Sequence, residues 1–165
     1  MTILTLPAIT SSAPAPRIVR ASLERRPLGE AAEWMRDVAA ECCRHPTLSR
    51  GVVEYLQRQG LVNQCVLLAA EPGGPLCFKF IGVPTMTVMG RAWARQQIGR
   101  AVADADGTEF GDAMFASYED AVESGEPVFN RIALDGLAAP LIYTHALVGW
   151  RDGTGRRAVL SCVQL

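Results

Sequence analysis

The stretch SYEDAVESGEPVF, residues 117–129, decides which fold the sequence predicts. It belongs to a segment whose apolar positions recur at three- and four-residue steps: Phe110, Met114, Tyr118, Ala121 and Val122. That spacing predicts a long helix with one apolar face. Gly125 is typical of the left-handed residue that ends a helix, and Pro127 prevents the helix from resuming. The helix therefore turns sharply into the apolar strand PVFNRIAL.

Short apolar runs typical of strands lie on both sides of this helix. Two of them, NQCVLLAA and LCFKFIG, are separated by the turn-forming residues 71–75, which predicts a hairpin. Beyond PVFNRIAL come PLIYTHALVGW and RRAVLSCVQL, joined by the turn sequence RDGTG. Between the two groups, MTVMGRAWARQQIGRAV predicts short helical turns. This order predicts an α+β fold, with a five-stranded antiparallel sheet and helices on one face.

Two further segments precede this domain, which we place at residues 61–165. Residues 1–28 are dense in proline, serine and alanine and predict a flexible N-terminal arm. Residues 29–60 predict a helical lead of two helices, separated near Pro46. The apolar stripe of the first helix comprises Trp34, Met35, Val38 and Cys42. It is larger than a solvated helix needs, so we expect it to pack on the outer face of the sheet or against a second copy.

Three segments of the domain resemble the PAS family. FKFIGVPTMTVMG resembles the second strand entering the first short helix, IGRAV resembles the glycine-basic step before the middle of the domain, and YEDAVESGEPVF resembles the long helix leading into the third strand. The likeness covers residues 61–165 and is closest to the alphaproteobacterial single-domain PAS subfamily. Gly90-Arg91 and Gly99-Arg100 lie further apart than is usual in that subfamily.

The resemblance implies a sensory and signalling function without a reaction, so the chain is not expected to be an enzyme. A small apolar or aromatic ligand, or a protein partner, would alter the cavity or the sheet, and flanking helices would relay the change to an unidentified signalling protein. The resemblance also leaves open that the chain forms a homodimer. Flavin photosensors of this family need a cysteine ahead of the long helix, and none lies between Cys77 and Cys162. Heme sensors usually take a histidine from that helix, which has none at 108–124. The cofactor is therefore left unknown.

Seven residues are the candidates for lining a ligand cavity: Phe78, Phe80, Trp93, Met114, Tyr118, Tyr143 and His145. Strand alternation puts Phe78 and Phe80 on one face, which we expect to point toward the helices. In the fourth strand, Tyr143 and His145 share a face, but both faces are partly apolar, so the inner one is left open. For the helical candidates, an ordinary core role is the competing explanation.

Composition disfavours several other classes of protein. The formal net charge is −1, so no field draws the chain to nucleic acid. No run approaches the roughly 20 apolar residues that span a bilayer, and no signal peptide begins the sequence, so we expect a cytoplasmic protein without a membrane role. Five cysteines without a C-x-x-C pattern predict free thiols rather than a metal site.

Two alternative functions stay open at the level of sequence. One is a PAS module without a ligand that acts as a docking or dimerisation adaptor. The other is a small enzyme or carrier with a cone-shaped α+β cavity, for which Tyr143 and His145 are the one acid–base pair that the alternation pattern offers.

Overall fold

A computed structural model of the chain describes residues 20–104, 108–137 and 139–165. The strands of these residues are β1 Arg20–Arg26, β2 Cys65–Ala70, β3 Cys77–Ile81, β4 Val128–Asp135, β5 Leu141–Arg151 and β6 Arg157–Gln164. The α-helices are α1 Glu33–Cys42, α2 Arg50–Arg58, α3 Val83–Met89, α4 Arg91–Gln97 and α5 Glu109–Ser124. The prediction of an α+β fold with an antiparallel sheet is confirmed.

The sheet has the strand order β1-β4-β5-β6-β2-β3, with antiparallel pairing throughout. The hairpin of β2 and β3 forms one side, and the chain then crosses to β4 on the other side through α3, α4 and α5. The crossing leaves these three helices over one face, which we call the inner face. The last strand, β6, returns to the centre between β5 and β2.

The sheet has six strands in the described residues rather than the five predicted. The additional strand is β1, which pairs with β4 from Arg20 opposite Asp135 to Arg26 opposite Phe129. It lies within residues 1–28, so the prediction of a flexible arm is wrong for its residues, whereas residues 1–19 lie outside the described ones. Most of its side chains are exposed, because the strand is held by backbone pairing at the sheet edge rather than by an apolar face.

Helices cover both faces of the sheet: α3, α4 and α5 of residues 61–165 lie over the inner face, and the lead helices α1 and α2 cover the outer face. On the outer face, α1 and α2 bury Met35, Val38 and Cys42 against β5 and β6, and Trp34 is half-buried beside them. The indole Nε1 of Trp150 in β5 donates a hydrogen bond of 2.9 Å to the carbonyl of His45, just beyond α1. The expectation that the apolar stripe packs on the outer face is confirmed.

The backbone of the long helix α5 lies directly against the sheet at Gly149 of β5. A Cβ atom added there would lie 2.4 Å from the carbonyl carbon and oxygen of Ala121, so the helix backbone rests directly on the strand. Glu119 binds the guanidinium of Arg157 with contacts of 2.6 and 2.8 Å and ties the same part of α5 to β6. The Oγ1 of Thr108 caps the first turn by accepting from the amide of Gly111.

Gly125 ends α5 in the left-handed conformation, with φ at +64°. The sequence-based expectation for this residue is confirmed. The next residues, Glu126 and Pro127, bring the chain directly into β4.

Gly149→Ala should lower the free energy of unfolding by about 3 kcal/mol, the upper end of overpacking costs, because backbone atoms of α5 cannot yield as a side chain does. The matched control is Gly153→Ala in the β5–β6 turn, where an added Cβ meets nothing within 4 Å. Guanidinium unfolding of both variants measures the difference. Equal stability of the two would show that α5 does not rest on β5 at this point.

Gly125→Ala should cost about 1 kcal/mol for a different reason, since space is free there and only the positive φ opposes a side chain. Chemical denaturation of this variant checks the value. An unchanged midpoint would contradict the left-handed turn.

Candidate functional site

A cavity of about 60 Å³ lies between the helices and the inner face of the sheet. A single water needs only roughly 10–15 Å³ of occupied volume, so this space is large enough for a small ligand. The helices contribute Val88, Trp93, Phe110, Met114 and Tyr118 to its wall, and the strands contribute Val66, Phe78, Tyr143, His145, Ser161 and Val163.

Six of the seven candidate residues line this cavity: Phe78, Trp93, Met114, Tyr118, Tyr143 and His145. Their proximity follows from the fold, because the crossing through α3, α4 and α5 lays these helices over β3 and β5. That they contact a ligand stays a prediction. Each is buried or half-buried in the inner core, so the ordinary core role holds as well.

Phe80 lies on the opposite face, which corrects its inclusion among the cavity residues. The register between β2 and β3 shifts so that Leu67 pairs with Phe80 while the next residue, Leu68, pairs with Phe78. Lys79 lies between these two pairs and forms a β-bulge. Directly paired residues share a face, so Phe80 accompanies Leu67, which packs against the outer core. Simple alternation along β3 missed the bulge.

The inner face of β5 is the one that carries Tyr143, His145 and Leu147. The alternate residues Ala146 and Val148 belong to the outer core under α1 and α2. The sequence left this choice open, because β5 is buried on both sides along most of its length.

Aromatic rings form the apolar part of the cavity. The rings of Phe78 and Trp93 meet edge to face, with centroids 6.0 Å apart. The Tyr143 hydroxyl lies 3.8 Å from the sulfur of Met114. Burial raises the pKa of Tyr118 and of Tyr143 well above the usual value, so both phenols stay neutral.

His145 is the most deeply buried polar group of the site, with no exposed surface. Burial, assisted by the positive charge of Arg25, lowers its pKa to about 3, so the ring is neutral at physiological pH. Its Nε2 lies 2.9 Å from Nδ2 of Asn130, which is directly opposite in β4. With the amide of Asn130 oriented this way, its NH2 group can only donate, so Nε2 is assigned as the acceptor and the ring proton to Nδ1.

Three buried polar atoms at this end of the site have no hydrogen-bond partner among the described residues: Nδ1 of His145, Oγ of Ser161 and Oδ1 of Asn130. Buried polar atoms are nearly always paired, so such a cluster is unusual. Sequence reasoning missed Ser161 and Asn130. The available signal was a polar residue inside the apolar runs VFNRIAL and AVLSCVQL, at positions that share a face with the core residues.

None of the described side chains around the cavity carries a formal charge at neutral pH. Tyr143 and His145 titrate far from neutrality in opposite directions, so they are poorly matched for acid–base exchange with each other. The arrangement suits binding of an uncharged molecule better than proton transfer.

The cysteines lie apart from the cavity as free thiols; Cys42, Cys65 and Cys162 are buried, and Cys43 is exposed. Cys65 and Cys162 pair across β2 and β6 with their sulfurs 4.0 Å apart in the outer core. Burial raises the pKa of Cys42 to about 12, which keeps this neighbouring thiol unreactive. Within the described ranges, no group of three or more histidine, cysteine or acidic side chains could hold a metal ion.

Comparison with family models and with curated proteins finds no match to this chain. In the part of the chain that the structure describes, no helix is both long and apolar enough to cross a membrane.

Burial of His145 predicts a specific acid sensitivity. The folded ring stays neutral down to about pH 3, whereas the unfolded ring takes a proton near pH 6.5. The unfolded state therefore binds more protons between these values, and the free energy of unfolding falls as the pH decreases, by at most about 1.4 kcal/mol per pH unit.

His145→Gln should flatten this decline, as measured by denaturant unfolding at a series of pH values from 7 downward. The matched control is His45→Gln, which removes the chain's other histidine at a half-exposed position. An acid slope that is the same in the two variants would contradict the neutral, buried state of His145.

Proposed function

We propose that this chain is a single-domain PAS-like sensory protein that binds a small ligand in the inner cavity. A partner protein recognises the ligand-bound state through contacts with the lead helices α1 and α2. Along the chain, the two strands β2 and β3 are followed by helices and then by the three strands β4, β5 and β6. This order supports the PAS resemblance. The antiparallel sheet with its cavity under the long helix supports it further.

One observation carries the proposal: the strands that line the cavity also support the lead helices. In β6, Ser161 and Val163 face the cavity, whereas Leu160 and Cys162 face α1 and α2. The outer core thus begins one residue away from the cavity wall. A ligand that displaces an inner residue of β6 must also shift its outer neighbours, because close-packed interiors transmit strain.

The lead helices are fixed to the same strands. Met35 and Val38 are fully buried beneath α1, and the bond from Trp150 to the carbonyl of His45 holds the end of this helix on β5. The opposite side of α1 and α2 is polar and exposed, and it offers a surface to a signalling protein or to a second copy. The proposal requires no reaction.

The test is whether a small molecule copurifies with the protein and occupies the cavity. Val88→Phe places a larger side chain in the cavity wall, so it should exclude the ligand. Val83→Phe is the matched control, since Val83 lies on the same helix but is 49% exposed and does not line the cavity. Mass spectrometry of solvent extracts from the denatured proteins should find one compound in the wild type and in Val83→Phe, and a depleted amount in Val88→Phe.

A compound present equally in all three proteins would place it outside the cavity and contradict the proposal. No retained compound from any of them would favour the ligand-free adaptor.

A further inference from the structure

The polar end of the cavity is formed by side chains from two neighbouring strands. His145 pairs directly with Val163, and Ser161 lies two residues before Val163 on the same face of β6. Residues in such a diagonal relation are about 7 Å apart, which is within reach of one small polar group placed between their side chains. Both residues line the cavity, and neither is more than 1% exposed.

Of the three polar atoms without a partner among the described residues at this end, the two that belong to cavity-lining residues, Nδ1 of His145 and Oγ of Ser161, can both donate a hydrogen bond, whereas the acceptor Oδ1 belongs to Asn130, which does not line the cavity. The amide NH2 of Asn130 donates to Nε2 of His145, so the N–H at Nδ1 is the group of this ring that can donate to a ligand. The hydroxyl of Ser161 also has no partner among the described residues and can turn its hydrogen toward the same acceptor. A ligand oxygen would satisfy both groups at once.

The electrostatics of the cavity select against charged ligands. The described lining residues carry no charge that could pair with an anion or a cation, and burial opposes protonation of His145. A carboxylate would therefore be desolvated without a counterion, which is strongly unfavourable. The remaining wall is apolar and aromatic, with Phe78 and Trp93 available to pack against a ring or a short hydrocarbon chain.

We propose that the cavity selects a small, uncharged apolar or aromatic molecule with one carbonyl oxygen, which accepts hydrogen bonds from Nδ1 of His145 and from the hydroxyl of Ser161. This inference rests on the proposed function and specifies the chemical class of its ligand. It assigns ligand recognition to Ser161, which shares its face of β6 with apolar residues and whose hydroxyl has no partner within the described part of the chain.

The experiment compares acetophenone with α-methylstyrene, which has the same shape but replaces the carbonyl oxygen by a methylene group. Titrations of the full chain, followed by amide NMR shifts, give the two affinities. Acetophenone should bind about tenfold more tightly, as expected for hydrogen bonds made in a dry site. Benzoate, the charged analogue, should bind more weakly than acetophenone.

Ser161→Ala should reduce the preference for the ketone several-fold, and His145→Gln should reduce it by removing the donor from its position. Ser161→Ala deletes only a hydroxyl that has no partner among the described residues, so the variant should fold. Ser117→Ala is the matched control, because Ser117 is buried on α5 but bonds its own helix at the carbonyl of Ala113 and does not line the cavity. Its preference should equal that of the wild type.

Equal binding of the ketone and the alkene would overturn this proposal and leave the proposed function standing. So would a ketone preference that survives both Ser161→Ala and His145→Gln, or a copurifying compound that is charged. Failure of both compounds to bind also overturns the carbonyl proposal. The proposed function is tested separately, by the copurification experiment with Val88→Phe.

Discussion

The close contact between the backbone of α5 and Gly149 of β5 is the constraint on which the inner half of the structure depends. A side chain at residue 149 would overlap the carbonyl of Ala121, so only glycine lets the helix rest directly on the strand. About 13–20 Å further along β5, at four to six residues' distance, the sheet presents His145 and Tyr143 instead. There the helix presents Met114 and Tyr118, and the cavity lies between these larger side chains. The helix is thus held at one end and separated from the sheet at the other.

The two cores of the molecule share the same central strands. Inner residues of β5 and β6 pack against α5, whereas their neighbours pack against α1 and α2, so neither core can be repacked without the other. The outer surface of these strands contains small side chains such as Ala146, Ala158 and Cys162, which let α1 approach closely. This sharing distinguishes the lead helices from a loosely attached extension. It also gives a ligand in the cavity a short physical route to a surface that another protein can contact.

The sequence predicted the elements whose signal is local. The 3.6-residue periodicity of α5, the Gly125 turn and the apolar strands β2 to β6 all depend on neighbouring residues, and the structure contains each of them. The strand β1 escaped prediction because its sequence RASLERR offers only Ala21 and Leu23 as apolar residues, too short an alternation to predict a strand, and its pairing with β4 is made by the backbone. Sheet pairing of that kind depends on a distant partner, which no local pattern reveals.

The candidate site was predictable where residue size and apolarity place a side chain in the inner core, and six of the seven candidates line the cavity. Phe80 was misplaced because a bulge at Lys79 changes the face of every later residue of β3. Ser161 and Asn130 were missed because a polar residue inside a strand gains meaning only when its face and cross-strand partner are known. The pairing of Asn130 with His145 supplies that context.

The central claim is that the state of the cavity reaches the lead helices through the shared strands. Hydrogen exchange of the Val88→Phe variant, measured by mass spectrometry against wild type and Val83→Phe, tests it most directly. Filling the cavity should change amide exchange not only in α3 and α5 but also in β6 and in residues 33–42 of α1. Val83→Phe lies in an outer groove beside Trp34 and not in the cavity, so it should leave amide exchange in α5 unchanged. A change in Val88→Phe that is confined to the helices of the inner face would contradict the account.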